Sequence, residues 1–233
     1  MTRPSQLPLD LPYRPALGRS DFLVSDCNSA ALGWIERWPD WPARVLVMHG
    51  PPGCGKSHLA ELWRHRTGAA LVPGRELGGL DPTVLAARPA VVVDDAANAP
   101  ERPLLHLYNC CVEAGTSLLV VAESAPAVWQ IALPDLASRL RAAHAAAIAL
   151  PDDALLGAVL VKHFRDRQVR VPPAVIAFLV PRMERSFASA AVLAHRLDRL
   201  ALGAGRPITL KLARRALDEA ADQSSASSDF GVT

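Results

Sequence analysis

An apolar run, Val45-Leu46-Val47-Met48, leads directly into Gly50-Pro51-Pro52-Gly53-Cys54-Gly55-Lys56-Ser57. That junction restricts this part of the chain to a strand, a tight anion-cradling turn and a helix. The glycines let the backbone curl until successive N–H groups point at one anion, Lys56 reaches the outer phosphates, and the Ser57 hydroxyl is placed for Mg²⁺. A helix expected from Lys56 to about Arg66, with Leu59, Leu62 and Trp63 on its apolar face, adds the positive end of its dipole. Gly50, Pro51, Gly53, Cys54, Gly55, Lys56, Ser57 and His58 are therefore the candidate nucleotide-binding residues, for a nucleoside triphosphate or diphosphate. A glycine-rich turn that only joins strand to helix would not require Lys-Ser after its last glycine.

The 233 residues, half of them hydrophobic, suffice for one large domain or a domain plus a small one. No run approaches the roughly 18 to 20 uncharged apolar residues of a membrane span, and Met1 to Asp10 lacks a signal-peptide layout, so a cytoplasmic protein is expected. Cys27, Cys54, Cys110 and Cys111 show no C-x-x-C spacing and read as reduced packing residues. Net charge is only +2, but Pro151 to Ala220 holds twelve Lys or Arg against seven Asp or Glu. Their helical spacing suits a solvated face, with a weak contact to DNA or to an acidic partner left open.

Apolar runs and helical patterns alternate through the first 150 residues. Strands are expected at Arg44 to His49, Ala69 to Val72, Ala90 to Asp94, Ser117 to Ala122 and Ala145 to Leu150. Such alternation predicts an α/β fold: a P-loop unit with a parallel five-stranded sheet covered by helices on both faces. Between the third and fourth strands, Leu104, Leu105, Leu107, Tyr108 and Val112 mark a helix face that Gly115 closes. Beyond Pro151 the pattern is helical only. Helices are expected from Asp152 or Asp153 to about Arg167, from Pro173 through Leu179, from about Ser186 to Leu202, and from about Thr209 to Ala220. The expected organisation is an extended peptide over 1–20, the nucleotide-binding domain over 21–150, a small helical lid over 151–220 and a disordered tail over 221–233.

Three further groups bear on chemistry. Val91-Val92-Val93-Asp94-Asp95 ends an apolar strand in two carboxylates: Asp94 suits a Mg²⁺ ligand at the end of a strand beside the phosphate loop, and Asp95 suits the polarising of an attacking water. At the tip of the next strand Glu123 is a candidate γ-phosphate sensor, with loop solvation as the competing reading. In Leu133-Pro134-Asp135-Leu136-Ala137-Ser138-Arg139-Leu140, Arg139 is either a finger reaching a neighbouring molecule's γ-phosphate or one half of a surface ion pair.

The phosphate loop, the Asp94-Asp95 pair, the Leu-Pro-Asp-Leu-Ala-Ser-Arg-Leu segment and the helical C-terminus resemble the AAA+ module of the bacterial replication initiator DnaA. More specifically they resemble the Hda family of DnaA-related regulators, over roughly Gln6 to Ala220. Leu107-Tyr108-Asn109, Glu113-Ala114-Gly115, Asp21-Phe22-Leu23-Val24 and Asn28 are similar to the corresponding family segments. The resemblance makes Gln6-Leu7-Pro8-Leu9-Asp10-Leu11-Pro12 a binding peptide for the DNA polymerase III sliding clamp. Gln6 would hydrogen-bond at a groove rim while Leu7, Leu9 and Leu11 enter or cover the groove.

It further implies a negative regulator of chromosomal replication initiation whose Arg139 acts in trans, promoting hydrolysis of ATP bound to DnaA. The family's lid arginine falls on Ala188, with Arg185 the nearest cation, and Glu123 stands where Asp is expected. The resemblance therefore implies a site holding ADP as a structural ligand more than one that turns over ATP. Only thirteen residues follow Ala220, too few for a helix-turn-helix module, so sequence-specific DNA reading is not expected, and a homo-oligomer is left open. Two other classes stand beside this one: an independent ATPase that remodels or loads a replication protein such as the helicase, and an interaction module that uses nucleotide only for folding.

Overall fold

Strands β1 (Val45–His49), β2 (Ala70–Pro73), β3 (Ala90–Asp94), β4 (Ser117–Ala122) and β5 (His144–Ala147) form one sheet in a computed structural model that describes residues 22–228. The order is β2-β3-β4-β1-β5 and every neighbouring pair is parallel. Parallel strands need crossovers, and α2 (Lys56–Thr67), α3 (Pro82–Ala86), α4 (Glu101–Ala114) and α5 (Pro134–Ala142) supply them, while α1 (Ser29–Arg37) precedes the first strand.

Both faces of the sheet are buried, which explains why its central strands read as unbroken apolar runs instead of alternating ones. Leu46, Met48, Val92, Leu119 and Val121 pack under α1 and α2, against Ile35, Leu59 and Trp63. Their sequence neighbours Val47, Val93, Leu118 and Val120 pack under α3, α4 and α5, against Leu85, Leu104, Leu107, Leu136 and Leu140. A third cluster, with Leu156, Leu160, Phe164, Leu179, Leu193 and Leu197, belongs to α6 (Asp153–Asp166), α7 (Pro173–Leu179), α8 (Phe187–Ala204) and α9 (Leu210–Ser228). Asp152 caps α6 by accepting from the Leu155 N–H at 2.7 Å, and Ser186 caps α8 by accepting from the Ser189 N–H at 3.0 Å.

Some expectations shift. The fifth strand stops at Ala147, not Leu150, because the Ala149 N–H leaves the sheet for the Cys27 carbonyl at 3.0 Å. Val112 is 45% exposed, and Cys111 takes the inward place, since Leu104, Leu107 and Cys111 follow the spacing of one helix face and Val112 lies about 100° around from it. Burial pushes the Cys111 thiol up to about 12, keeping it protonated, as suits a packing residue. Helix α9 runs to Ser228, past the end expected at Ala220, because no Gly or Pro interrupts 221–228. Finally, Asp94 does not end a strand beside the phosphate loop: β4 lies between β3 and β1. Among the described residues no helix is long and apolar enough to cross a membrane. The peptide carrying Gln6, Leu7, Leu9 and Leu11 lies outside the described residues.

Candidate nucleotide site

The loop from Gly50 to Gly55 leaves the C-terminal end of β1 and enters α2 at Lys56. Gly53 (φ +72°) and Gly55 (φ +100°) adopt left-handed backbone, the local geometry that turns consecutive N–H groups toward one point. Helix α2 has no side-chain cap and no acidic residue in its first turn, so its leading N–H groups face the loop without a capping acceptor. Lys56 Nζ donates to the Gly50 carbonyl at 2.6 Å and to the Pro51 carbonyl at 2.9 Å, holding the ammonium over the curl of the loop. Cys54 is buried beneath it, and that burial raises its thiol above the ordinary range while the Lys56 charge pulls the other way.

The tips of the neighbouring strands bring the other candidates near, unevenly. The Gly50 N–H donates to the Ala122 carbonyl at 3.3 Å, so exposed Glu123, the next residue along, stands beside the loop. Asp94 ends β3, two strand spacings or about 10 Å to the side of β1. One of its carboxylate oxygens accepts from the Asp95 N–H at 3.0 Å. Asp95 sits at φ +55°, and Asn98 Nδ2 donates to both of its carboxylate oxygens, at 3.0 and 2.9 Å. In this arrangement Asp95 organises the turn after β3. Ser57 is exposed and Asp94 half-buried. Among the described residues no group of three His, Cys, Asp or Glu side chains is gathered that could hold a metal ion.

His58 and Asn28 have local roles. The His58 ring meets Phe22 edge-on with centroids 5.5 Å apart, tying α2 to the segment before α1. Buried Asn28 donates to the Leu23 carbonyl and accepts from the Ser25 N–H, both at 3.0 Å, closing the turn into α1.

Sequence reasoning missed how closely α8 approaches the loop. The Phe187 N–H donates to the Gly53 carbonyl at 3.0 Å. A Cβ on Gly53 would lie 2.3 Å from Ser186 Cβ, and one on Gly55 would meet the Phe187 ring at 3.0 Å. Exposed Ala188 follows immediately, so the first turn of α8 brings no cation to the loop. Arg185 is held by Asp153 at 2.6 Å. The Ser-Phe pair carries no motif; its signal was only the cap position of Ser186.

Arg139, on α5, is placed away from these contacts. Its Nε donates to Asp135 at 2.9 Å, one turn back, and its guanidinium lies 5.7 Å from the centroid of Tyr108 on α4. Glu101 fixes this region by accepting from the N–H groups of Ala132 and Leu133, each at 2.8 Å, which seats the start of α5 against α4. Glu101 was not singled out from the sequence either, because its partners lie some thirty residues away.

Two half-buried imidazoles predict a pH dependence. Burial, then Lys56, lowers the pKa of His49 at the foot of the loop; burial, then Arg167 and Lys162, lowers that of His163 on α6. Below the ordinary value of 6.5 the unfolded chain takes up protons that the folded chain still refuses. Stability is therefore full above that pH and declines as pH falls toward the folded-state values. The thermal midpoint is expected to be flat between about pH 8 and pH 7 and to fall below about pH 6.5, with the fall reduced in a His49→Asn, His163→Asn variant. An unchanged profile in that variant would remove both histidines from the explanation.

No family model matches the sequence. Among solved structures, domain III of the Thermotoga maritima replication initiation protein DnaA aligns with a TM-score of 0.76 at 17% identity, over 90% of this chain and 98% of that one. AMPPCP-bound DnaA from Aquifex aeolicus aligns at 0.68 and 14% identity, over 93% of this chain and 73% of that one. The Thermotoga maritima RuvB Holliday junction branch migration motor aligns at 0.64 and 16% identity, over 82% and 66%. At these identities the similarity is one of fold: a parallel five-stranded sheet with flanking helices, as in the AAA+ domains of DnaA and RuvB.

Proposed function

We propose that this chain is a nucleotide-binding AAA+ regulator of DnaA, holding ADP or ATP at Gly50–His58 and supplying Arg139 to the ATP of a neighbouring initiator. The observation that carries the reading is a division of charge. The phosphate loop has its own lysine and an uncapped helix start, yet the first turn of α8 brings it no cation. Such a site is equipped to grip a nucleotide and poorly equipped to discharge it. The AMPPCP-bound state of the Aquifex DnaA supports nucleotide binding by this fold.

Arg139 is equipped differently. Its partner Asp135 is an exposed residue one turn away on the same helix, and such pairs are worth only about 0.3–0.5 kcal/mol, so the guanidinium is readily released to a stronger anion. A phosphoryl group on another molecule is that kind of anion, and the planar fork of arginine neutralises its developing charge. The clamp-binding role of Gln6, Leu7, Leu9 and Leu11 rests on sequence resemblance and belongs to the same proposal.

The test follows hydrolysis of DnaA-bound ATP with purified initiator, clamp loaded on DNA and this protein. Stimulation is expected, and Arg139→Ala is expected to reduce it by about 10³-fold or more while leaving clamp binding intact. A Gln6→Ala, Leu9→Ala variant should lose stimulation together with clamp binding. Stimulation retained by Arg139→Ala would overturn the finger assignment, and ATP turnover by this protein alone would favour an independent ATPase.

A further inference from the structure

On the helical unit, away from the phosphate loop, α6 and α7 leave a groove of about 990 Å³. Ala154, Gly157 and Val161 line it from α6, at the three- and four-residue spacing of a single helix face; Ile176 lines it from α7 and Val180 from the turn that follows α7. Elsewhere α6 and α7 are covered by this chain's own helices, since α8 packs on α6 and α9 packs on α7. The groove is on the remaining side, where Ala154, Val161 and Ala177 are exposed.

One end is distinguished by charge. Arg165 and Arg170 line the groove there, and among the described residues neither takes an ion pair. Nearby cations differ: Lys162 pairs with Asp166 at 2.9 Å and Arg167 lies 3.9 Å from Asp198. Asp153, at the opposite end, is neutralised by Arg185. The groove is thus an apolar trough with two guanidinium groups at one end and a satisfied carboxylate at the other.

We propose that this groove is a docking site for an amphipathic helix of a partner protein, whose apolar face fills the trough and whose carboxylates reach Arg165 and Arg170. Asp153 to Arg165 spans about 18 Å along α6, the length of a helix of about twelve residues. The small side chains of Ala154 and Gly157 let a helix backbone come close. A trough open along its side suits a helix face better than a small ligand, which is usually enclosed. Acidic residues favour a helix's first turn. The partner therefore lies antiparallel to α6, its N-terminus at Arg165.

The test uses the full chain and a fluorescein-labelled amphipathic peptide of about fourteen residues. Its leucines stand at helical spacing and two glutamates occupy its first turn; a matched peptide carries lysines there. Fluorescence anisotropy should show saturable binding of the glutamate peptide, about tenfold tighter than the lysine peptide. Arg165→Glu, Arg170→Glu should reverse that preference, and Val161→Glu, an exposed position, should abolish binding of both with an unchanged thermal midpoint. Absence of saturable binding, or binding indifferent to Val161→Glu, would overturn the proposal. So would saturable binding of dodecanoate with no binding of either peptide, which would assign the trough to a small amphiphile.

Discussion

Lys56→Ala is expected to lower the affinity for ADP and ATP by about 10- to 100-fold, the range for losing a hydrogen-bonded charge from an anion site. The ammonium is already positioned, held at 2.6 Å by the Gly50 carbonyl and at 2.9 Å by the Pro51 carbonyl, so little ordering remains to be done when a phosphate arrives. The same bonds predict a second effect. Removing the side chain deprives two loop carbonyls of a donor, but in an open turn water replaces it, so the nucleotide-free protein should lose no more than about 1 kcal/mol. Calorimetric titration with ADP and thermal unfolding without nucleotide separate the two. Equal affinity in wild type and variant would show that this loop does not grip phosphate through Lys56. Equal loss of affinity and stability would make the lysine a structural clip.

Much of this site was legible in the sequence because its signals are local. The phosphate loop is one continuous stretch, and β3 and β4 fall at Ala90–Asp94 and Ser117–Ala122 as their apolar runs predict. The helix starts at Asp152 and Ser186 are likewise cap residues acting within three positions of themselves. What the sequence hid depends on which distant segments meet. Nothing in Val91-Val92-Val93-Asp94 says that β4 will stand between it and β1; strand order is a property of crossovers, not of the strand. Cys111 could replace Val112 at the core because both are apolar and only a helix rotation tells them apart. The Glu101 bonds to the start of α5, and the seating of Phe187 on Gly53, join residues separated by tens or more than a hundred positions. The α6–α7 trough was invisible for another reason: Ala154, Gly157 and Val161 read as ordinary helix residues until their neighbours are known to lie elsewhere.

The contact between α8 and the phosphate loop makes Gly53→Ala a damaging substitution, whose cost is isolated by comparison with Gly115→Ala. Both glycines have left-handed backbone, φ +72° and φ +69°, so each alanine incurs the same conformational penalty of about 1–2 kcal/mol. At Gly115, the C-cap of α4, the new methyl meets nothing within 4 Å, and that penalty is the whole effect. At Gly53 the methyl would stand 2.3 Å from Ser186 Cβ and 3.3 Å from Ser186 Cα, a collision with the start of a helix and not with the tip of a flexible side chain. Ser186 cannot simply turn away, since its hydroxyl caps α8 and the next N–H is bonded to the Gly53 carbonyl. Relief requires moving α8 as a body, at a further cost of about 1–3 kcal/mol typical of overpacking. Gly53→Ala should therefore lower unfolding free energy by more than Gly115→Ala and also expose the segment around Leu150-Pro151 to protease, whereas Gly115→Ala should leave proteolysis unchanged. If the two variants lose equal stability and are cleaved alike, α8 does not rest on the phosphate loop in solution. If they differ as expected, whatever displaces that loop on binding nucleotide also pushes on α8, and the helical unit becomes a reporter of the site it covers.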